Sequence, residues 1–401
     1  MKINSKNKGD VLFKYIWIIA IMPKQIQFFL LGILAMYLIN RSKIALDRIS
    51  LFIIGYAITH VISIYINIIG NDYSSERILA AINTALVWLV AILIYLYYKN
   101  NKIDIGRIIK YSIKNLIIMN AFLIIAMLFY YIFHINEVSI FRKALYGIDW
   151  YGGVNVIRFS GLLEYPNLVA LFFMIFYPIS MIKYNNSSML KKIVVSVIFL
   201  LPVIFSRSRS GYILAIVAIG VCLLNDFLSS SKRKKYINVF FLMIIMIIVF
   251  ILIFGGLDAI KNILITMFNS REGSNNTRMN IYAESIRMTM INSPIIGCGI
   301  KNFIGDYPLG SHSTYIGIFY KTGLLGSVLF ILALYNIVKS LIKNLKYKRF
   351  IFGAVFCLAV LVIGIVEDLD GSNWFLSVYF AVIGITTNLY NFTEEKLDDN
   401  Y

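Results

Sequence analysis

Apolar runs of about 20 residues recur along the whole chain, the length an α-helix needs to cross a hydrocarbon core about 30 Å thick. Nothing else in the sequence restricts the fold as strongly. The 401 residues are 59% hydrophobic and only 14% charged, with a mean hydropathy of +0.78. A water-soluble domain of this length would need far more charge to cover its surface. The expected architecture is therefore an all-α integral membrane protein, with residues 1–401 forming a single polytopic domain of about 12 transmembrane helices. Candidate spans are Val11–Met22, Ile26–Asn40, Ile49–Gly70, Ile78–Tyr98, Ile113–Phe133, Glu164–Ile182, Ile193–Phe205, Gly211–Leu228, Ile237–Leu257, Thr322–Leu341, Phe350–Val366 and Ser372–Tyr390. The first two are short and meet at Pro23-Lys24-Gln25, so they form either two tight spans or one re-entrant hairpin. No cleavage site of small residues follows the first run, which reads as a retained span rather than a signal peptide.

The net charge of +18 could suggest a nucleic-acid partner, but its placement excludes one. With the N-terminus inside and the spans alternating, most of the Lys and Arg fall in Arg41–Arg48, Lys99–Lys114, Lys183–Lys192, Ser229–Tyr236, Lys339–Arg349 and the two termini. That is the positive-inside pattern of a membrane protein. Both termini are then expected in the cytoplasm, and the outer connector Glu367–Asp370 carries only acids. Cys222 and Cys357 lie inside apolar runs and Cys298 stands alone, which implies neither a disulfide framework nor a metal site.

Two outer loops are long, His134–Gly161 and Asp258–Lys321, and loops of such length in a compact protein are usually functional. The second is the expected extracytoplasmic loop carrying part of the active site, with Lys261, Arg271, Arg278, Arg287, Lys301 and Lys321 as its basic residues. Three constellations around these loops carry chemistry. Ser206-Arg207-Ser208-Arg209-Ser210-Gly211, at a span end, places two arginines against the positive-inside trend, where arginine either snorkels to headgroups or binds an anion. Residues two apart do not face the same way, so one of the pair is expected to face a cavity. Asn276–Arg287 reads as an amphipathic helix capped near Asn276 or Thr277 and ended by Ser293-Pro294. On it Arg278 and Arg287 fall on opposite faces. Arg287 neighbours Glu284, while Arg278 shares its face with Tyr282 and Ser285. Gly310-Ser311-His312-Ser313-Thr314-Tyr315 supplies a histidine, the side chain whose ordinary pKa suits proton transfer near neutrality. His60 and His134 read as structural. Glu367, Asp368 and Asp370 form an acidic outer cluster that could orient a sugar or act as a base, but a solvated connector is the preferred reading. No Ser-His-Asp order, phosphate-cradling Lys loop or metal-ligand cluster is present, and no cofactor is implied.

In this order and with this sidedness, the three segments resemble the O-antigen polymerase and O-antigen ligase superfamily of polytopic membrane glycosyltransferases. The resemblance runs from Arg158-Phe159-Ser160-Gly161 and Glu164-Tyr165-Pro166-Asn167, through the Ser-Arg motif and Pro294-Ile295-Ile296-Gly297-Cys298-Gly299, to Thr322-Gly323-Leu324-Leu325-Gly326. It implies a GT-C-like helical fold and a metal-independent glycosyltransferase whose donor is an undecaprenyl-diphosphate-linked oligosaccharide. Arg209, Arg278 and His312 fall on the family's functional arginines and histidine, with Arg207 as an extra arginine. Arg158, Arg207, Arg287, Tyr282, Tyr315 and Glu284 are the accompanying substrate-binding candidates. Arginine suits a diphosphate because it stays charged and binds phosphate oxygens bidentately.

The expected reaction is polymerisation of polysaccharide repeat units (O-antigen, capsule or exopolysaccharide) on the outer face of the bacterial cytoplasmic membrane. A chain-length regulator and a flippase would be the further partners. The short interval between Pro294 and His312 and the AT-rich composition favour polymerase over ligase-type transfer to a lipid core or protein. A flippase or other transporter is the alternative of a different class. It is disfavoured because the unusual polar residues gather at one face and no internal repeat is visible.

Overall fold

The computed structural model describes residues 9–40, 42–70, 72–151, 154–185, 187–229, 272–305, 307–344 and 351–388. The expected span Ile237–Leu257 and the basic residues Lys261 and Arg271 lie outside them. The chain is mostly helical. In order the helices are α1 (Val11–Ile21), α2 (Lys24–Ile39), α3 (Arg48–Gly70), α4 (Ser75–Asn100), α5 (Ile105–Tyr131), α6 (Asn167–Met181), α7 (Met189–Ser206) and α8 (Arg209–Ser229). They continue with α9 (Glu272–Asn292), α10 (Thr314–Asn344), α11 (Ile351–Ile363) and α12 (Asn373–Thr387). Among the described residues, α3, α4, α5, α6 with its 3-10 extension to Tyr184, α7 and α10 are long and apolar enough to cross a membrane. Helices α1, α2, α12 and the described part of α8 are apolar but shorter.

The outer helices present large apolar side chains to the surroundings at helical spacing. Phe29, Ile33 and Met36 do so on α2, and Ile117, Ile124 and Leu128 on α5. Water would penalise such continuous apolar faces, whereas lipid accommodates them. Helices α6 and α12 are instead enclosed, with every residue of Asn373–Thr387 buried. Their polar groups are satisfied inside the protein; for example, Ser377 Oγ donates to Asn373 O at 3.0 Å. Tyr98 OH donates to Gly9 O at 2.7 Å, and Asn388 Nδ2 donates to Tyr98 O at 2.7 Å. Residues 9 and 388 therefore sit at one end of the bundle, beside the 43–47 and 99–104 loops. At the other end, Asn373 Nδ2 donates to Lys24 O at 3.0 Å. The α1–α2 hairpin thus consists of two short helices that run the length of α12 and turn at Pro23.

Several boundaries differ from the sequence reading. The chain is not purely helical: β1 (Val138–Ile140), β2 (Lys143–Tyr151) and β3 (Val154–Phe159) form an antiparallel meander in the first long loop. A two-residue hairpin, β4 (Phe303–Ile304) with β5 (Tyr307–Pro308), forms in the second. β2 and β3 are short and rich in aromatic and β-branched residues, a strand signal that the emphasis on long apolar runs passes over. Helix α5 starts at Ile105, inside the expected loop Lys99–Lys114, because Asp104 caps it by accepting from Arg107 N at 3.2 Å. Helix α9 starts at least as early as Glu272 rather than near Asn276. Glu164, placed in the sixth span, lies ahead of α6 in a buried turn.

The largest revision concerns α10. It begins at Thr314, eight residues before the expected span, and is broken at Gly323 (φ 58°, ψ −155°). The break frees backbone groups that the Pro294–Gly299 segment satisfies. Leu324 N and Leu325 N donate to Pro294 O and Ile295 O at 2.9 and 3.0 Å. Tyr320 O and Lys321 O accept from Cys298 N and Gly299 N at 2.7 and 3.1 Å. An interrupted helix is tolerated at membrane depth only where protein supplies those partners. A Cβ on Gly297 or on Gly323 would fall into the facing backbone, which is why both motifs carry glycine there.

Candidate active site

Arg158 ends the β-meander and feeds three acceptors at once. Its Nη1 donates to Asp149 Oδ2 at 2.8 Å, its Nε to Ser206 O at 3.2 Å, and its Nη2 to Asn167 Oδ1 at 3.3 Å. A planar fork of donors suits this task as a lysine would not. Asn167, the first residue of α6, then donates its Nδ2 to Glu367 Oε1 at 2.6 Å. On the far side of Glu367 lies Arg278 of α9. Its Nη2 is 4.0 Å from Glu367 Oε1, and its Nη1 donates to Val366 O at 3.4 Å. One turn along α9, Tyr282 OH donates to His312 O at 2.7 Å. A single connected path thus joins β3, the α7–α8 junction, α6, the α11–α12 connector, α9 and the turn ahead of α10.

His312 is held in the left-handed region (φ 62°), which is uncommon for a non-glycine residue and concentrates at functional sites. The turn is over-determined. Gly310 N donates to Ser285 Oγ at 2.8 Å, Ser313 Oγ accepts from Ile316 N at 3.4 Å, and Thr314 Oγ1 donates to Glu367 O at 2.7 Å. Burial lowers the pKa of His312, and the positive charges of Arg278 and Lys301 lower it further. At neutral pH the ring is therefore uncharged and able to accept a proton.

The acidic connector overturns its sequence reading. Glu367 and Asp370 are 5% and 6% exposed rather than solvated. Asp368 Oδ2 accepts from Lys301 Nζ at 3.0 Å. Asp370 Oδ2 pairs with Lys321 Nζ and accepts from Trp88 Nε1 at 3.2 Å. Burial pushes the Glu367 carboxyl up, against the pull of Arg278. Burial also raises Asp368, and the neighbouring Asp370 carboxylate adds to that rise. Asp370 itself moves down despite burial, because Lys321 stabilises its charged form. Sequence reasoning set Glu367 aside in favour of a solvated connector. The available signal was three acids within four residues between two apolar runs, where lone carboxylates are costly unless paired.

Lys321, assigned to the outer loop, is instead a buried residue of α10 with a side chain 1% exposed. Glu164 is also enclosed, accepting from Lys143 Nζ at 2.8 Å, Gln27 Nε2 at 2.8 Å and Trp374 Nε1 at 3.0 Å.

Of the other sequence candidates, Arg207, Arg287, Glu284 and Tyr315 have committed side chains. Arg207 takes the left-handed conformation (φ 50°) that ends α7 and donates its Nε to Ile157 O at 3.2 Å. Arg209 is half-buried in the first turn of α8, three residues beyond the Ser206 carbonyl that Arg158 holds. Arg287 and Glu284 pair with each other on the outer surface at 2.6–2.7 Å. Tyr315 OH donates to Leu361 O at 2.6 Å and ties α10 to α11. Among the described residues no group of three or more His, Cys, Asp or Glu is placed to hold a metal ion. Cys222, Cys298 and Cys357 are buried as thiols. Chemically, the site offers a guanidinium group for an anion, a neutral imidazole for a hydroxyl proton, and a buried carboxyl beside Arg278.

Residues 194–331 match the family model described as O-antigen ligase. The matched segment contains Arg207, Arg209, Arg278, His312 and the broken part of α10, and it supports the resemblance to the O-antigen polymerase and ligase superfamily. No curated protein matches the chain.

Proposed function

We propose that the chain is a membrane-embedded glycosyltransferase that polymerises lipid-linked oligosaccharide repeat units. One observation carries the reading: Arg278 and His312, both inside the segment that matches the O-antigen ligase family, are brought together, with Arg278 beside the buried carboxyl of Glu367, its charge felt by the His312 ring, and Tyr282 one turn along α9 holding the His312 carbonyl. In this reading the donor is an oligosaccharide on undecaprenyl diphosphate. Arg278 and Arg209 neutralise the diphosphate as it leaves, where negative charge develops in the transition state. His312 takes the proton from the acceptor hydroxyl as that oxygen attacks the anomeric carbon. Glu367 positions Arg278 and, through Asn167, Arg158. The reaction needs no metal on this scheme, since arginines do the work of charge neutralisation. A GT-C-like arrangement of about 12 spans, with the site on the outer face of the bacterial cytoplasmic membrane and both termini inside, completes the proposal.

Polymerase is preferred to ligase because the Pro294–His312 segment is a short chain folded against α9 and α10, as Ser285–Gly310 and Tyr282–His312 show, without an insertion to receive a large acceptor. The test is reconstitution of purified protein with a synthetic undecaprenyl-diphosphate repeat unit. Wild type is expected to yield a glycan ladder. Arg209→Ala, Arg278→Ala and His312→Ala should abolish it, while Arg207→Ala should retain it, because that guanidinium caps β3. Transfer only after a lipid core or protein is added would establish a ligase. Absence of any transfer would overturn the enzyme reading.

A further inference from the structure

A second group of cations lies beside the acidic connector. A cavity of about 230 Å³ opens between the start of α2, α3, α4, the β4–β5 hairpin and α10. Its walls bring together Lys24, Arg77, Lys301 and Lys321, with His60 and Asp370. Two of the four cations are neutralised in place, Lys321 by Asp370 and Lys301 by Asp368. Lys24 and Arg77 have no carboxylate partner among the described residues. Arg77 is nonetheless positioned, its guanidinium resting 4.7 Å above the Phe303 ring of the hairpin, which also lines the cavity. His60 is fully buried and bonds Gly299 O through Nε2 at 3.0 Å, and its Nδ1 has no partner. Gly299 O can only accept, so Nε2 carries the proton and Nδ1 is a buried acceptor facing no donor. Positive charge is therefore left over on Lys24 and Arg77, and a phosphate oxygen would use it.

Size and surroundings narrow the ligand. The cavity is below the roughly 300–1,000 Å³ of sites that enclose a whole small molecule, so it fits a head group and not a glycan. One wall is apolar: Phe303 of the hairpin lines the cavity and is exposed, as are its hairpin neighbours Ile304 and Tyr307. An exposed apolar hairpin beside a cationic pocket suits a phosphate attached to a hydrocarbon chain.

We infer that this cavity is a binding site for a phosphate-class anion, a phosphate monoester or diphosphate, distinct from the Arg278–His312 site. If the polymerase reading holds, on which this clause alone rests, it is where the diphosphate of the second lipid-linked substrate sits while the first is held by Arg278.

The experiment measures equilibrium binding to the purified full chain in nanodiscs, without turnover. The probes are radiolabelled inorganic diphosphate and farnesyl phosphate, and the proteins are wild type, Arg77→Gln, Lys24→Gln, Ala80→Glu and Arg278→Gln. Ala80 is an exposed helix position on the cavity wall, so Ala80→Glu adds a carboxylate without disturbing a core. Wild type should show a site that each of the first three variants weakens about tenfold and that Arg278→Gln leaves intact. Farnesyl phosphate displacing the inorganic probe identifies a lipid-borne phosphate. Inorganic binding that farnesyl phosphate does not displace identifies a free anion at the same residues. Binding that is indifferent to Arg77→Gln and Ala80→Glu, or that is lost only in Arg278→Gln, overturns the inference while leaving glycosyl transfer untouched. Intact binding in a protein that transfers no sugar would sink the polymerase reading instead.

Discussion

At the scale of single residues, the site works through side chains whose ordinary properties are shifted by what surrounds them. His312 is the clearest case: burial, then Arg278 and Lys301, lower its pKa below the usual 6.5. If the neutral ring is the base, transfer should fall on the acid side as pH drops through that lowered value. Removing a positive neighbour raises the pKa, so in Arg278→Gln the acid limb of the residual rate should move to higher pH. Initial rates measured from acid to neutral pH test this, and superimposable limbs in the two proteins would count against His312 as the base. His312→Ala should cost about 10²–10⁴ in rate, the usual contribution of a positioned base. Arg278 and His312 stand out in the sequence as candidates because their residue types are unusual in such a loop. Glu367 does not. A carboxylate in a connector looks the same in sequence whether it is solvated or enclosed by Arg278 and Asn167.

At the scale of elements, the glycines of Pro294–Gly299 and Thr322–Gly326 explain each other. Each strand of this contact supplies the hydrogen bonds the other lacks, and neither has room for a Cβ at Gly297 or Gly323. Gly323 occupies a backbone region that essentially only glycine populates, and a side chain there costs on the order of 1–3 kcal/mol in strain alone. Gly323→Ala and Gly297→Ala should therefore lower the thermal unfolding midpoint in detergent and the yield of folded protein. Ala substitution at Gly70, where a Cβ meets nothing within 4 Å, should leave both near wild type. Equal behaviour of the three variants would disprove the backbone contact. The spacing of these glycines is visible in the sequence. Their pairing is not, since it joins segments on either side of the hairpin and the His312 turn.

At the scale of the whole molecule, a few buried ion pairs tie distant helices together. Lys321 on α10 pairs with Asp370 between α11 and α12, and Asp370 also takes the indole N–H of Trp88 on α4. Removing one partner leaves a buried charge, which typically costs 3–5 kcal/mol, about the magnitude expected for Lys321→Met. Lys321→Met with Asp370→Asn, which keeps an acceptor for Trp88, should recover most of the lost unfolding midpoint. A double variant no more stable than the single one would show that the pair is not the source of the effect. The sequence by itself determined that this is a helical chain suited to a bilayer, because apolar length and loop charge are local properties that need no knowledge of neighbours. It also offered Arg207 or Arg209, Arg278 and His312 as candidates, with the family resemblance favouring Arg209. Only the tertiary structure decided that α10 begins before the expected span and is broken at Gly323, that Arg287 is occupied by Glu284, and that the acidic connector is enclosed. Those outcomes depend on which helices meet. A charge or an unpaired carbonyl is stable or costly according to the partner brought to it, and that partner lies up to hundreds of residues away along the chain, as Asn167 does from Glu367.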